Sequence, residues 1–289
     1  MGRFGRDEYL KLVRGETKGA AARLTRGALS AAALAYGAGV AVRNFAFDHG
    51  WRKVHHAAVP VISVGNLTLG GTGKTPTVEW IARWYRDRGV RVALLSRGYG
   101  REGAVNDEGL ALEENLPDVP HLQDPDRVRM AAVAVSELES QLLVLDDAFQ
   151  HRRIARDLDI VLIDALDPFG LNRVFPRGLL REPLKGLRRA DLVMITQADL
   201  VPGTTLLAIR NRAERAVGRP LGWVHARKAP IELIGGELGP EPLQILTDCF
   251  VAAFSGIGNP DGFRRTLEKL KPRGLAHRTF PDHHLYRSS

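Results

Sequence analysis

The stretch Val59–Thr75, VPVISVGNLTLGGTGKT, limits the possible folds more than any other part of the chain. It begins with Val59, Val61, Ile62 and Val64, an apolar, β-branched run of the kind found in strands buried on both faces of a parallel sheet. A glycine-rich turn, Gly65 to Gly73, follows, and then Lys74 and Thr75. Beyond them Val78, Ile81, Ala82 and Tyr85 share one face at helical spacing. Pro76 falls in the first turn, where a missing N–H costs little. Strand, glycine loop, Lys-Thr and helix make a phosphate-binding loop, in which backbone N–H groups point at an anion and glycine lets the backbone approach it. In this reading Gly70, Gly71, Thr72, Gly73, Lys74 and Thr75 bind a nucleotide. Lys74 reaches the β- and γ-phosphates, and the Thr75 hydroxyl holds Mg²⁺. The strict pattern places glycine where this chain has Thr68, so the reading leans on the strand before the loop and the helix after it.

A length of 289 residues accommodates one large α/β domain and a smaller one, and the apolar content of 44% argues against disorder. The net charge of +8 favours acidic partners: phosphates, nucleic acid or an anionic membrane surface. The single cysteine, Cys249, excludes an internal disulfide framework and fits a reducing compartment.

Residues 3–53 are strongly basic and enclose an uncharged, alanine-rich segment, Gly27–Val42. That segment is shorter than the ~20 apolar residues a bilayer span needs. Asp7, Glu8 and Glu16 in the lead argue against a secretory signal. The expectation is a pair of basic helices that pack on the core or lie on an anionic membrane surface. Further strands are expected at Val90–Ser96, Gln141–Asp147, Asp159–Asp164, Asp191–Thr196 and Phe250–Ser255, and helices at Asp124–Leu138 and Asp261–Leu270. Asp124 is the expected N-cap of the first of these helices. Ligands of open parallel sheets sit beyond the carboxyl ends of strands. Arg97, Tyr99 and Arg101, after the second strand, are therefore candidates for an anionic substrate group. The paired carboxylates Asp146 and Asp147, ending another strand, are candidates for Mg²⁺. Gln197-Ala198-Asp199 is a poor version of a guanine-reading loop, which leaves a metallochaperone- or switch-type GTPase as the alternative function. Aromatic and basic residues do not interleave as in a nucleic-acid-binding surface, so no nucleic acid is expected. Asp282-His283-His284 near the C-terminus can relay a proton or bind metal. The domain division expected is 1–53 (basic helices), 54–224 (phosphate-loop core) and 225–289 (a smaller C-terminal domain that ends short).

Taken together, the motifs resemble those of the tetraacyldisaccharide 4'-kinases, the lipid A 4'-kinases. They are ISVGNLTLGGTGKTP (Ile62–Pro76), LLSRGYGR (Leu94–Arg101), DDAFQHRRIARDLDIVLID (Asp146–Asp164), REPL (Arg181–Leu184), SGIGNPDGF (Ser255–Phe263) and FPDHH (Phe280–His284). The resemblance runs from about Ala46 onward and includes Thr68, which the family shares. It implies a P-loop NTPase-like α/β fold, a parallel sheet sandwiched by helices with a basic helical N-terminus and a smaller C-terminal α/β domain. It also implies transfer of phosphate from ATP, with Mg²⁺, to the 4'-hydroxyl of an acylated disaccharide 1-phosphate, at the cytoplasmic face of the inner membrane. A peripheral monomer is expected. By the same resemblance Asp107 is the base, although Asn106 and Gly109 around it depart from the family's Gly-Asp-Glu-Pro. His283 is its partner, with His284 second, Lys74 is catalytic, and Glu182 joins Thr75, Asp146 and Asp147 near the metal.

Overall fold

The computed structural model describes residues 5–98, 107–227, 229–235, 239–257 and 260–280. Two helices open it, α1 (Arg6–Arg14) and the long α2 (Ala20–Asp48). Then come β1 (Val61–Asn66), α3 (Lys74–Arg86), β2 (Val92–Ser96), α4 (Asp107–Asn115), β3 (His121–Gln123), α5 (Arg127–Ser136), β4 (Leu142–Asp146) and β5 (Leu158–Asp164). After β6 (Leu192–Thr196), α6 (Gly203–Val217) and β7 (Gly222–His225), the short strands β8 (Glu232–Leu233) and β9 (Glu241–Pro242) pair antiparallel. The chain continues through β10 (Phe250–Ser255), α7 (Pro260–Glu268) and β11 (Gly274–Thr279).

The main sheet has seven strands in the order β3-β2-β4-β1-β5-β6-β7, and every pairing is parallel. Strand β1 lies in the middle, bonded to β4 on one side and β5 on the other, and all its residues are buried. Alternation along the strands divides the core between two faces. Ile62 and Val64, Leu94, Val144 and Leu162 pack under α3 and α4 through Val78, Ile81 and Leu112. On the opposite face Val61, Leu95 and Leu143 meet Ala131 and Ala134 of α5. Val161, Ile163, Val193 and Ile195 meet Ile209 and Ala213 of α6 on the same side. The architecture is the P-loop NTPase-like α/β sandwich expected from the loop motif.

The uncharged segment Gly27–Val42 lies inside α2, which buries Ala22, Val40 and Phe47 and leaves Leu24, Leu34 and Val42 exposed. Among the described residues, no helix is long and apolar enough to cross a membrane. The expected N-cap at Asp124 is displaced. Helix α5 starts at Arg127, and Asp124 instead accepts the Asp126 N–H at 2.6 Å and pairs with Arg129 at 2.8 Å. The edge strands β3 and β7 and helix α6 had no counterpart in the sequence reading.

One close approach sets how β1 meets the turn after β4. A Cβ built on Gly65 would lie 2.6 Å from both the Cβ and the backbone N of Phe149. Phe149 is fully buried, so neither atom has room to retreat. Gly65→Ala is expected to destabilise the fold by at least ~2 kcal/mol in urea unfolding; a change below about 0.5 kcal/mol would show that the approach is not a constraint.

Candidate active site

The carboxyl ends of β1, β4 and β6 bring Asn66, Asp146 and Thr196 to one end of the sheet, around the loop of residues 67–73. The loop is held from both sides. Asn66 Nδ2 donates to Thr72 Oγ1 at 2.9 Å, and Thr196 Oγ1 donates to the Thr72 carbonyl at 3.0 Å. The backbone takes positive φ at Gly70 (126°) and Gly73 (85°), the conformation glycine tolerates best. No heavy atom would lie within 4 Å of a Cβ on Gly71, so that stretch of backbone is open on its outer side. Thr68 needs no glycine because it does not turn. It forms a bridge with Leu180, flanked by Leu69 N–H to Leu179 O and Arg181 N–H to Leu67 O, both at 2.7 Å. The departure from the strict motif is therefore the place where a second segment pairs with the loop.

Lys74 begins α3, with Thr75 next to it, so both side chains stand at the positive end of a helix of 13 residues. Lys74 Nζ lies 3.7 Å from Asp147 Oδ1. Arg181 Nη1 donates to both oxygens of the same carboxylate, at 2.7 and 2.8 Å. Asp147 has left the strand, with φ of 46°, which turns it away from Asp146 and towards these cations. Burial acts to raise the Asp147 carboxyl, but Lys74 and Arg181 overcome it and hold the group below the usual carboxylate range. Of the pair expected to meet the metal, Asp147 is thus engaged by cations, while the buried Asp146 stays at the end of β4.

Glu182 also departs from expectation. It is fully buried, and its oxygens accept from Arg189 Nη2 at 2.8 and 2.9 Å, Gln150 Nε2 at 3.1 Å and Asn44 Nδ2 at 3.2 Å. A guanidinium and two amides use the lone pairs that a metal would take. Among the described residues, no group of three or more His, Cys, Asp or Glu side chains gathers as a metal cage. The oxygens of Thr75 and Asp146 still suit Mg²⁺, which takes few protein ligands and keeps water and substrate phosphate oxygens for the rest.

Arg97 is exposed just beyond β2. Tyr99, Arg101 and His283 lie outside the described residues, as does the Asp107 side chain, although Asp107 opens α4. The guanine-loop alternative loses its key group. Asp199 is paired with Lys269, just past the end of α7, and Gln197 Nε2 donates to the buried Asp164 at 2.9 Å. Sequence reasoning missed Asn66, Thr196, Gln150 and Arg181 as site residues. The signal for Asn66 and Thr196 was their position at the carboxyl ends of strands. Gln150 and Arg181 were visible only as members of motifs.

The chain's likeness to known proteins agrees with this geometry. Residues 25–289 match the sequence pattern of the tetraacyldisaccharide-1-P 4'-kinase family (LpxK). A tetraacyldisaccharide 4'-kinase of Anaeromyxobacter sp. (strain Fw109-5) is 41% identical over 267 residues, covering 86% of this chain and 71% of that protein. The Geobacter sulfurreducens enzyme of the same name is 37% identical, covering 96% of this chain and 81% of its own length. A crystal structure of LpxK from Aquifex aeolicus in complex with ATP superposes with a TM-score of 0.66 at 31% identity, covering 90% of this chain and 83% of that one.

Behind the site, His151 Nε2 is buried with no hydrogen-bond partner. Burial, and then the charges of Arg127, Arg156 and Arg153, push His151 down to about 4 against the pull of Asp126. The unfolded chain takes up this proton near the ordinary histidine value, whereas the folded chain resists it to about 4. Above that window the histidine is neutral in both states, and stability should fall as pH drops through it. His151→Asn should flatten the slope of unfolding midpoint against pH in this window; an unchanged slope would remove His151 as its source.

Proposed function

The chain belongs to the tetraacyldisaccharide-1-P 4'-kinase family, and from that premise we propose that it transfers the γ-phosphoryl group of ATP to the 4'-hydroxyl of a tetraacyldisaccharide 1-phosphate, a step of lipid A biosynthesis. The observation that carries this reading is the meeting of Lys74 with Asp147, the carboxylate just past the end of β4, at the mouth of the glycine loop.

The loop amides and the N-terminus of α3 receive the ATP phosphates. Lys74 exchanges Asp147 for the phosphate oxygens, and Arg181 retains the carboxylate it releases. Thr75 and Asp146 would hold Mg²⁺, which would supply neutralisation of the phosphate charge. The chain's task is then mainly positioning, because the phosphoryl group passes through a loose transition state. Asp107 accepts the proton of the sugar hydroxyl, with His283 orienting it, and Arg97, Tyr99 and Arg101 hold the anionic headgroup. The GTPase alternative is disfavoured by the pairing of Asp199 with Lys269.

The acylated acceptor resides in a bilayer, so the enzyme meets it at the surface. The exposed Leu24, Leu34 and Val42 of α2 and Trp51 just beyond it lie in the basic N-terminal region and suit shallow contact with an anionic, cytoplasmic-facing leaflet. Full-length protein should float with anionic vesicles at low salt and be released at high salt, and Lys18→Glu with Arg23→Glu should weaken flotation. Salt-independent binding, or none, would overturn this contact.

Transfer from ATP to a tetraacyldisaccharide 1-phosphate in detergent micelles tests the activity. Lys74→Ala should cost at least ~100-fold in turnover. Asp107→Ala should cost ~100-fold or more in kcat while ATP affinity stays within about twofold. Near-wild-type turnover in Asp107→Ala would end the base assignment, and a preference for GTP would revive the alternative.

A further inference from the structure

The segment 173–182 lies between the N-terminal helices and the phosphate loop and is bonded to both. On its inner side it meets Leu67, Thr68 and Leu69 through the bridge and backbone bonds described above. On its outer side Tyr9 OH of α1 donates to the Pro176 carbonyl at 2.8 Å, and Arg177 Nη1 donates to the Val13 carbonyl at 2.8 Å. From α2, Tyr36 OH donates to the Arg181 carbonyl at 3.0 Å while its ring stands edge-on to Phe175 at 5.9 Å. The segment is stiff. Phe175 N–H bonds Leu180 O at 2.9 Å, Leu180 N–H bonds Arg173 O at 3.0 Å, and a Cβ on Gly178 would lie 2.3 Å from the Arg173 carbonyl oxygen.

A second path joins α2 to the loop through side chains. Asn44 donates to Glu182, and Gln150 Nε2 donates both to Glu182 and, at 2.9 Å, to the Asn66 carbonyl. Gln150 Oε1 accepts from Arg181 Nη1 at 3.4 Å, and Arg181 holds Asp147, which holds Lys74. Both paths converge on Arg181, one through its carbonyl and one through its guanidinium.

We propose that Tyr36 and Asn44 of α2 are positioning residues for nucleotide binding, which act through the 173–182 segment to keep Arg181 on Asp147 and so leave Lys74 available to phosphate. The proposal rests on the ATP-binding reading of the loop. Its physical content is a competition. Asp147 is a carboxylate within reach of Lys74, and a bound phosphate must displace it. Arg181 supplies the carboxylate with an alternative partner. When α2 no longer fixes Arg181, Asp147 leans more heavily on Lys74 and opposes the nucleotide. A contact on α2 is thereby linked to the loop as a coupling between two sites, and the linkage is reciprocal.

The test is equilibrium binding of ATP to the full chain without lipid acceptor, with unfolding midpoints measured alongside. Asn44→Ala and Tyr36→Phe should each raise the ATP Kd by about fivefold, with midpoints close to the parent's. In an Asp147→Asn background, where the competing charge is gone, Asn44→Ala should leave the Kd unchanged. Tyr36→Phe removes only a hydroxyl from a partly exposed ring, so it remains informative if Asn44→Ala folds poorly. Unchanged affinity in both variants overturns the proposal. An equal loss in both backgrounds overturns it too, as does a loss that merely tracks a lower midpoint. Failure of the parent chain itself to bind ATP overturns the ATP-binding reading and this inference with it.

Discussion

A strand buried on both faces can present functional groups only at its ends, and the rest of the structure depends on that constraint at β1. Its side chains are committed to two packed layers and its backbone to β4 and β5, so the chain emerges into solvent only after Thr68. The turn that follows feeds α3, whose first residue is Lys74. Because the neighbouring strands are parallel, they end on the same side, and Asp146 and Thr196 arrive beside the loop. The site is a consequence of strand direction before it is a consequence of any particular side chain.

Charge is then arranged around that end. The chain carries a net +8, but several of its arginines are largely withdrawn from solvent. Arg127 is buried, Arg189 grips the buried Glu182, Arg181 grips Asp147, and Arg156 lies 3.7 Å from the buried Asp159. Removing one member of such a pair leaves an uncompensated charge in a poor solvent, which is why these contacts constrain geometry more than they add net stability. The carboxylates at the site are consequently not interchangeable. Asp146 remains at its strand end, while Glu182 is bound to Arg189 and Asp147 to Lys74 and Arg181, which join the loop to residues far away in sequence.

Much of this was legible in the chain itself. Central parallel strands are continuous apolar runs, so β1, β2, β4, β5 and β6 stand out, and the loop motif marks where the nucleotide belongs. The edge strands β3 and β7 escaped because they are short and largely half-buried or exposed, with no apolar run to mark them. Helix α6 escaped because it begins at the glycine of a Pro-Gly pair without a side-chain cap. Asp124 had the right residue type for a cap, but its carboxylate closes a local turn onto Asp126, the residue just before the helix. Thr68 looked like a defect and is a pairing position, a distinction invisible without its partner Leu180.

By itself the sequence determined the parallel α/β architecture, the position of the phosphate loop, and the set of motifs that places the chain among the tetraacyldisaccharide 4'-kinases. Those depend on local patterns: periodicity, glycine at turns, and residue type at the ends of strands. Only the tertiary structure decided which cation each carboxylate meets, and that helix α2 reaches the loop through residues 173–182. The physical reason is distance along the chain. Tyr36 and Arg181, or Lys74 and Asp147, become neighbours only once the sheet has closed, and no local pattern records which partner a buried charge will find.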